Sequence, residues 1–211
     1  MKKALILVDL QNDFMPTGAL PIPQGDEVIT PANALQDYFE CILATQDWHP
    51  SNHGSFAANH PNKLPGECIE LAGLRQILWP IHCVQGTKGA EFVATLKTSR
   101  ITKVFQKGSD PTIDSYSAFF DNGHRKSTGL GDYLTIQQIS DVYIMGLALD
   151  YCVKYTVLDA CSNFKTYLIQ DACRGVNLNS EDSAMSIQDM QKAGAHVVHS
   201  TDVFRKFTPI F

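Results

Sequence analysis

The sequence predicts an α/β fold built on a mostly parallel sheet of six strands. Two observations carry the prediction. Short apolar runs alternate along the chain with segments whose apolar residues recur at helical spacing, the order that repeated βα units produce. At 211 residues, 44% apolar and 18% charged, the chain has the balance of an ordinary globular protein. A chain of this length is long enough to bury about 70% of its unfolded surface.

Strands are predicted at Ala4–Val8, Cys41–Thr45, Lys103–Phe105, Asp141–Met145, Thr166–Ile169 and Ala195–His199. The first follows Met1-Lys2-Lys3 and could pass for the core of a signal peptide. Asp9 and the polar Gln11-Asn12-Asp13 interrupt it too early, so it reads as a buried strand. Helices are predicted near Val28–Phe39, Ala90–Leu96, Gly131–Ile139, Val153–Cys161 and Ser180–Lys192. In the fourth, Val153, Val157, Ala160 and Cys161 repeat at i, i+4, i+7 and i+8 and make one apolar face. The last opens on Ser180, Glu181, Asp182 and Ser183, an acidic first turn, and Gly194 is a natural stop. Pro50 to Val84 reads as a long irregular span rich in Pro, Asn, His and Gly, and such spans in compact domains are usually functional. With no repeat, linker or low-complexity tract, residues 1–211 are read as one domain.

Composition excludes several function classes. The 17 basic and 22 acidic residues leave a net charge of -5, with no basic cluster to bind nucleic acid. No apolar run approaches the ~20 residues needed to span a bilayer. The 6 cysteines are scattered without a CxxC pair, which reads as reduced thiols in a cytoplasmic protein.

In an open parallel sheet, ligands bind at the carboxyl ends of the strands. Asp9 ends the first predicted strand, Asp47 follows the second, Lys107 the third and Cys152 the fourth. Any one of them could be a turn residue, a solvated lysine head or a half-buried structural thiol. Together they are complementary: a carboxylate can take a thiol proton while an ammonium offsets the anions. Cys152 also falls where a strand (Val142 to Met145) stops at Gly146 and a helix begins, and the positive end of a helix dipole favours thiolate.

A second constellation is Asp47-Trp48-His49, then His53, then Trp79-Pro80-Ile81-His82. On an extended segment the D-x-H spacing puts carboxylate and imidazole on one side, and a third ligand from another loop makes an oxygen/nitrogen site for a divalent transition metal. The plain alternative is a set of loop histidines hydrogen-bonded to backbone carbonyls. No cysteine lies close to Asp47 or His49, which argues against a structural zinc finger. Cys83, beside His82, is expected to point away from it if that segment is extended.

Leu7-Val8-Asp9-Leu10-Gln11-Asn12-Asp13-Phe14, Lys107-Gly108 and the stretch from Gly146 to Val153 together resemble the isochorismatase-like cysteine hydrolases. Thr45-Gln46-Asp47-Trp48-His49-Pro50 and Trp79-Pro80-Ile81-His82-Cys83-Val84 narrow the resemblance to the nicotinamidases, since this pair supplies a metal site that other branches lack. Tyr116-Ser117-Ala118-Phe119 matches as well. The resemblance implies the isochorismatase-like hydrolase fold, a three-layer αβα architecture with a doubly wound sheet. It implies Cys152 as nucleophile, Asp9 as proton acceptor and Lys107 as third catalytic residue. Asp47, His49 and His82 become metal ligands, and His53 a further ligand or a group holding metal-bound water. Zn is favoured, with Fe and Mn acceptable to the same ligands. Phe14, Trp79 and Tyr116 become the aromatic lining, with Phe14 and Trp79 sandwiching the ring. A cis peptide is implied between Leu147 and Ala148, with the backbone N–H groups of Ala148 and Cys152 as an oxyanion hole.

The implied reaction is deamidation of nicotinamide to nicotinate and ammonia through a thioester, feeding NAD salvage, with pyrazinamide as a further substrate. No organic cofactor, nucleic acid or membrane is implied, and a homo-oligomer is compatible. Two other readings stay open. A cysteine amidase acting on a carbamoyl or ureido compound would keep Asp9, Lys107 and Cys152 but have little use for the metal site. A non-catalytic ligand-binding protein would have no need of the full set. Cys152 argues against the vinyl-ether-cleaving isochorismatases, and the absence of Gly-x-Gly-x-x-Gly after the first strand argues against a nucleotide-binding oxidoreductase.

Overall fold

The structure, a computed structural model, describes residues 2–210. Eight strands and five α-helices run in chain order: β1 (Lys2–Val8), α1 (Ile29–Leu35), β2 (Cys41–Asp47), β3 (Cys68–Leu71), β4 (Leu74–Ile77), β5 (Lys103–Lys107), α2 (Leu130–Ile136), β6 (Ile139–Leu147), α3 (Lys154–Ala160), β7 (Lys165–Arg174), α4 (Asp182–Lys192), β8 (His196–Val198) and α5 (Ser200–Lys206). Six of the strands form one sheet in the order β5-β2-β1-β6-β7-β8, and every pairing in it is parallel. Helices cover both faces. One layer has α1 and α5 packed on each other and on β7; the other has α3 and α4 packed together, with α3 on β6 and β7. This is the expected three-layer, doubly wound arrangement. Strands covered on both sides should be apolar throughout rather than alternating. Ala4 to Val8 and Val142 to Met145 meet that requirement, all of them buried.

The strand order places the site. From β1 the chain steps outward to β2 and β5, then returns to the opposite side of β1 as β6. β1 and β6 therefore flank the topological switch, where an open α/β sheet leaves a crevice at its carboxyl edge. At that edge Val8 is in register with Gly146, and Asp47 with Lys107. Gly146 has φ +126, and a Cβ there would lie 2.2 Å from the Val8 carbonyl oxygen, so only glycine lets β6 pass β1 so closely.

Several expectations are corrected. Ala90–Leu96 is not a helix: a 3₁₀ turn at Lys88–Ala90 is followed by backbone that bonds instead to the loop after β1, with Val93 N–H donating to Leu10 O at 3.1 Å and Asn12 N–H to Glu91 O at 3.0 Å. The span from Pro50 to Val84 is not wholly irregular, since β3 and β4 form an antiparallel hairpin around Ala72-Gly73. Both turn residues have positive φ, as a type I′ hairpin turn requires. The helix predicted at Val28–Phe39 is shorter, with 3₁₀ turns at Gly25–Val28 and Gln36–Tyr38 flanking α1. α5 was not expected from the sequence; Asp202 in its first turn accepts the His199 N–H at 2.9 Å. Among the described residues, no helix is long and apolar enough to cross a membrane, and the cysteines form no disulfide.

Candidate active site

Asp9, Asp47, Lys107 and Cys152 come from the carboxyl ends of four adjacent strands and meet in one buried cluster. Lys107 is its hub. The ammonium is fully buried and lies 2.9 Å from Asp9 Oδ2 and 3.2 Å from Cys152 Sγ; it also donates to the Ser115 carbonyl at 3.0 Å and closely to Asp47. Burial opposes that charge, but Asp47 and Asp9 outweigh it and hold the ammonium well above its ordinary pKa. Asp9 sits at φ +50 just past β1, and its Oδ1 accepts the Thr45 hydroxyl at 2.6 Å. Burial raises the Asp9 carboxyl despite Lys107, whereas at Asp47 the pull of Lys107 and His49 overcomes burial and keeps the group well below the carboxylate range. Two carboxylates on one ammonium are thus driven apart: Asp47 stays ionised, and Asp9 is the one suited to exchange a proton.

At Cys152 the expected pull of a helix terminus toward thiolate is outweighed by burial. The residue lies in a π-helical turn, Leu149–Val153, ahead of α3, and burial pushes the thiol well above its ordinary pKa although Lys107 pulls it down. The proton therefore stays on sulfur until a base removes it. The peptide between Leu147 and Ala148 is cis, and Ala148 and Cys152 both line the cavity.

A small, partly enclosed cavity opens beside this cluster. Phe14, Trp79, Tyr116, Asp47, His49, His82 and Cys152, all expected from the sequence, line it. Trp79 donates its indole N–H to the Tyr116 hydroxyl at 3.1 Å and meets the Tyr151 ring edge-on at 4.8 Å. Leu20, Ile22, Asp114, Tyr151 and Val176 also line it and were not anticipated. Tyr151 could have been found beside Cys152; the others sit on loops with no spacing signal.

Also lining the cavity, Asp47, His49 and His82 bring one ligand atom each within 4.8 Å of one another. His49 Nδ1 is 2.8 Å from the Gly108 carbonyl and His82 Nδ1 is 2.8 Å from the Pro80 carbonyl. Donation at Nδ1 leaves the Nε2 lone pairs of both rings, 3.6 and 3.8 Å from Asp47 Oδ2, free to bind a cation. Ligands of one transition-metal ion stand roughly 3.0–3.5 Å apart, so the set fits a divalent metal with little adjustment. The Lys107-Gly108 pair gains a physical reason here: Gly108 has φ +64, and a Cβ would fall 2.4 Å from the His49 ring. Gln11 clamps the Asp47 backbone on both sides, donating to its carbonyl and accepting its N–H, each at 2.8 Å.

His53 belongs to a neighbouring group with His49 and Asp114. Its Nδ1 faces the Ser55 N–H at 3.3 Å and the Ser55 hydroxyl at 2.7 Å. Its Nε2 is buried with no hydrogen-bond partner, so the ring is placed either to ligate a metal or to support those that do. Burial lowers its pKa to about 4. Cys83 stays out of the metal cluster, but not through extended geometry: its φ is +47, and its N–H donates to Asp13 Oδ2 at 2.7 Å.

The isochorismatase domain family matches residues 3–202. Nicotinamidase from Escherichia coli is 50% identical over 200 residues, covering 92% of each chain. The structure of the yeast nicotinamidase bound to the inhibitor nicotinaldehyde is 35% identical with a TM-score of 0.88, covering 93% of this chain and 99% of that one. The zinc complex of Pyrococcus horikoshii pyrazinamidase is 37% identical with a TM-score of 0.76, covering 94% and 99%. The chain belongs to the isochorismatase domain family and groups with its nicotinamidases.

Proposed function

We propose that this protein is a metal-containing cysteine amidohydrolase that converts nicotinamide to nicotinate and ammonia. The observation that carries this reading is one cavity lined both by Cys152, 3.2 Å from the Lys107 ammonium, and by the Asp47, His49 and His82 ligand set. Relatives named for action on nicotinamide and pyrazinamide support the substrate class.

Asp9 takes the Cys152 proton, and Lys107 offsets the thiolate as it forms. Sulfur attacks the carboxamide carbon, and the oxyanion is held by the backbone N–H groups of Ala148 and Cys152. Asp9 returns the proton to nitrogen, the C–N bond breaks, ammonia leaves and a thioester remains. Asp9 then deprotonates water, which hydrolyses the thioester to nicotinate and restores the thiol. A divalent metal held by Asp47, His49 and His82 (zinc in the first instance) would orient the substrate through its pyridine nitrogen. Phe14, Trp79 and Tyr116 bind the ring faces and edge. Pyrazinamide, which also offers a ring nitrogen, is a further substrate. We place the protein in the cytoplasm, where its thiols stay reduced and its product would enter NAD salvage.

The test is ammonia release from purified protein given nicotinamide, with metal analysis of the same batch and Cys152→Ala as control. Turnover confined to metal-bearing protein with Cys152 intact supports the reading. Inert, folded, metal-loaded protein would send the search to a carbamoyl or ureido substrate.

A further inference from the structure

We infer that Gln76, on the β3–β4 hairpin outside the main sheet, is a positioning residue for the substrate cavity. Its side chain is buried, unlike its hairpin neighbours Arg75 and Ile77. The amide nitrogen lies 3.0 Å from the Tyr116 hydroxyl, 3.0 Å from Asp114 Oδ2 and 2.7 Å from the Ile77 carbonyl. Tyr116 and Asp114 both line the cavity; Gln76 does not.

The orientation of the amide follows from its surroundings. Turning it over would set its carbonyl oxygen against a carboxylate oxygen and a backbone carbonyl at hydrogen-bonding distance, so nitrogen must face them. With two protons for three acceptors, the amide shares one N–H between Asp114 and the Tyr116 oxygen, which also accepts the Trp79 indole N–H at 3.1 Å. Neither neighbour can accept the phenolic proton. Its O–H is left as a donor beside the cavity, and Gln76 and Trp79 together hold it there. Asp114 is tethered in the same way, with Ser115 N–H on Oδ1 at 2.8 Å and Gln76 on Oδ2. A short hairpin thereby helps to set two walls of a site whose proposed nucleophile and base lie just past the ends of main-sheet strands.

The inference rests on the nicotinamide reading for its kinetic readout, so the experiment carries a second readout that does not. Gln76→Leu, the isosteric Gln76→Glu, Tyr116→Phe and the Gln76→Leu/Tyr116→Phe pair are compared with the unaltered protein for KM, kcat, bound metal and the NMR signal of the Trp79 indole N–H. In Gln76→Leu, KM for nicotinamide should rise about 10-fold, the loss of one hydrogen bond at about 1.4 kcal/mol. kcat and metal content should hold within about twofold, and the Trp79 signal should move. Gln76→Glu, which sets an acceptor against Asp114, should be worse. The double variant should lose less than the sum of the two singles, because both changes break one contact. An unchanged KM with an unmoved indole signal, or strictly additive losses, would overturn the inference. Should the unaltered protein fail to hydrolyse nicotinamide, the functional reading falls and the indole signal alone decides the role of Gln76.

Discussion

Asp47 and Lys107 are register partners on adjacent parallel strands, and their side chains close into an ion pair that joins the Asp47, His49 and His82 cluster to Cys152. One carboxylate thus faces two ways. It offers Oδ2 to the histidine pair and Oδ1 to the ammonium that also touches Asp9 and Cys152. Changes at Lys107 should therefore be felt at both ends of the cavity. Lys107→Arg keeps the charge but replaces a compact ammonium with a longer planar fork that cannot reach the same partners. We expect kcat to fall about 100-fold or more, on the scale of a lost charge contact in a transition state. Metal affinity should weaken measurably in equilibrium dialysis. Full activity in this variant would demote Lys107 to a general electrostatic contribution.

Cys152→Ala should lose turnover by at least about 10³-fold, because it removes the sulfur on which the proposed thioester forms. The side chain is buried but small, so the unfolding midpoint should shift little. Ammonia release close to the unaltered rate would remove Cys152 from the nucleophile role.

Gly108→Ala probes the metal wall without touching a ligand. The added methyl would overlap the His49 ring, and φ +64 is strained for alanine. Bound metal per chain should drop toward that of His49→Ala, with substrate affinity falling alongside. Equal metal content in both variants and the parent would refute the assignment of His49.

A pH dependence follows from His53. Its folded pKa is about 4, against an unfolded value near 6.5. Between those values the unfolded chain holds a proton that the folded one refuses, so stability is complete above about 6.5 and is lost as pH falls toward 4. In metal-free protein, His53→Gln should flatten the decline in unfolding free energy over that window, by on the order of 2 kcal/mol. Chemical denaturation at several pH values measures it, and parallel curves for the two proteins would contradict the proposed burial of a neutral ring.

The six parallel strands were legible because strands covered on both faces must be apolar, and β1 and β6 show that as uninterrupted runs. The candidate site was legible where its residues sit at strand ends, as Asp9, Asp47, Lys107 and Cys152 do, or in motifs matched to a family, as His49 and His82 do. Gln76, Asp114 and Val176 left no such mark, because their places depend on how separate loops fold over one another. The hairpin around Ala72-Gly73 was hidden for a different reason: its strands are too short to show alternation. The supposed helix at 90–96 failed because its apolar spacing serves contacts with the loop after β1. The helix-terminus pull toward thiolate read at Cys152 did not show how far burial would oppose it, because burial depends on the whole fold.

The placement of β6 beside β1 has a consequence for how the protein comes into being. Asp9 lies near the start of the chain and Cys152 well past its middle, and they meet only when the strand synthesised later inserts next to the one made first. Long-range parallel pairing of this kind is slow, since chain ends must be gathered before any contact rewards them. A nascent or half-assembled chain therefore carries a plain thiol with no base and no ammonium beside it. Hydrolytic power needs this pairing, so recovery of activity after denaturation should not precede the closing of the sheet and should report it.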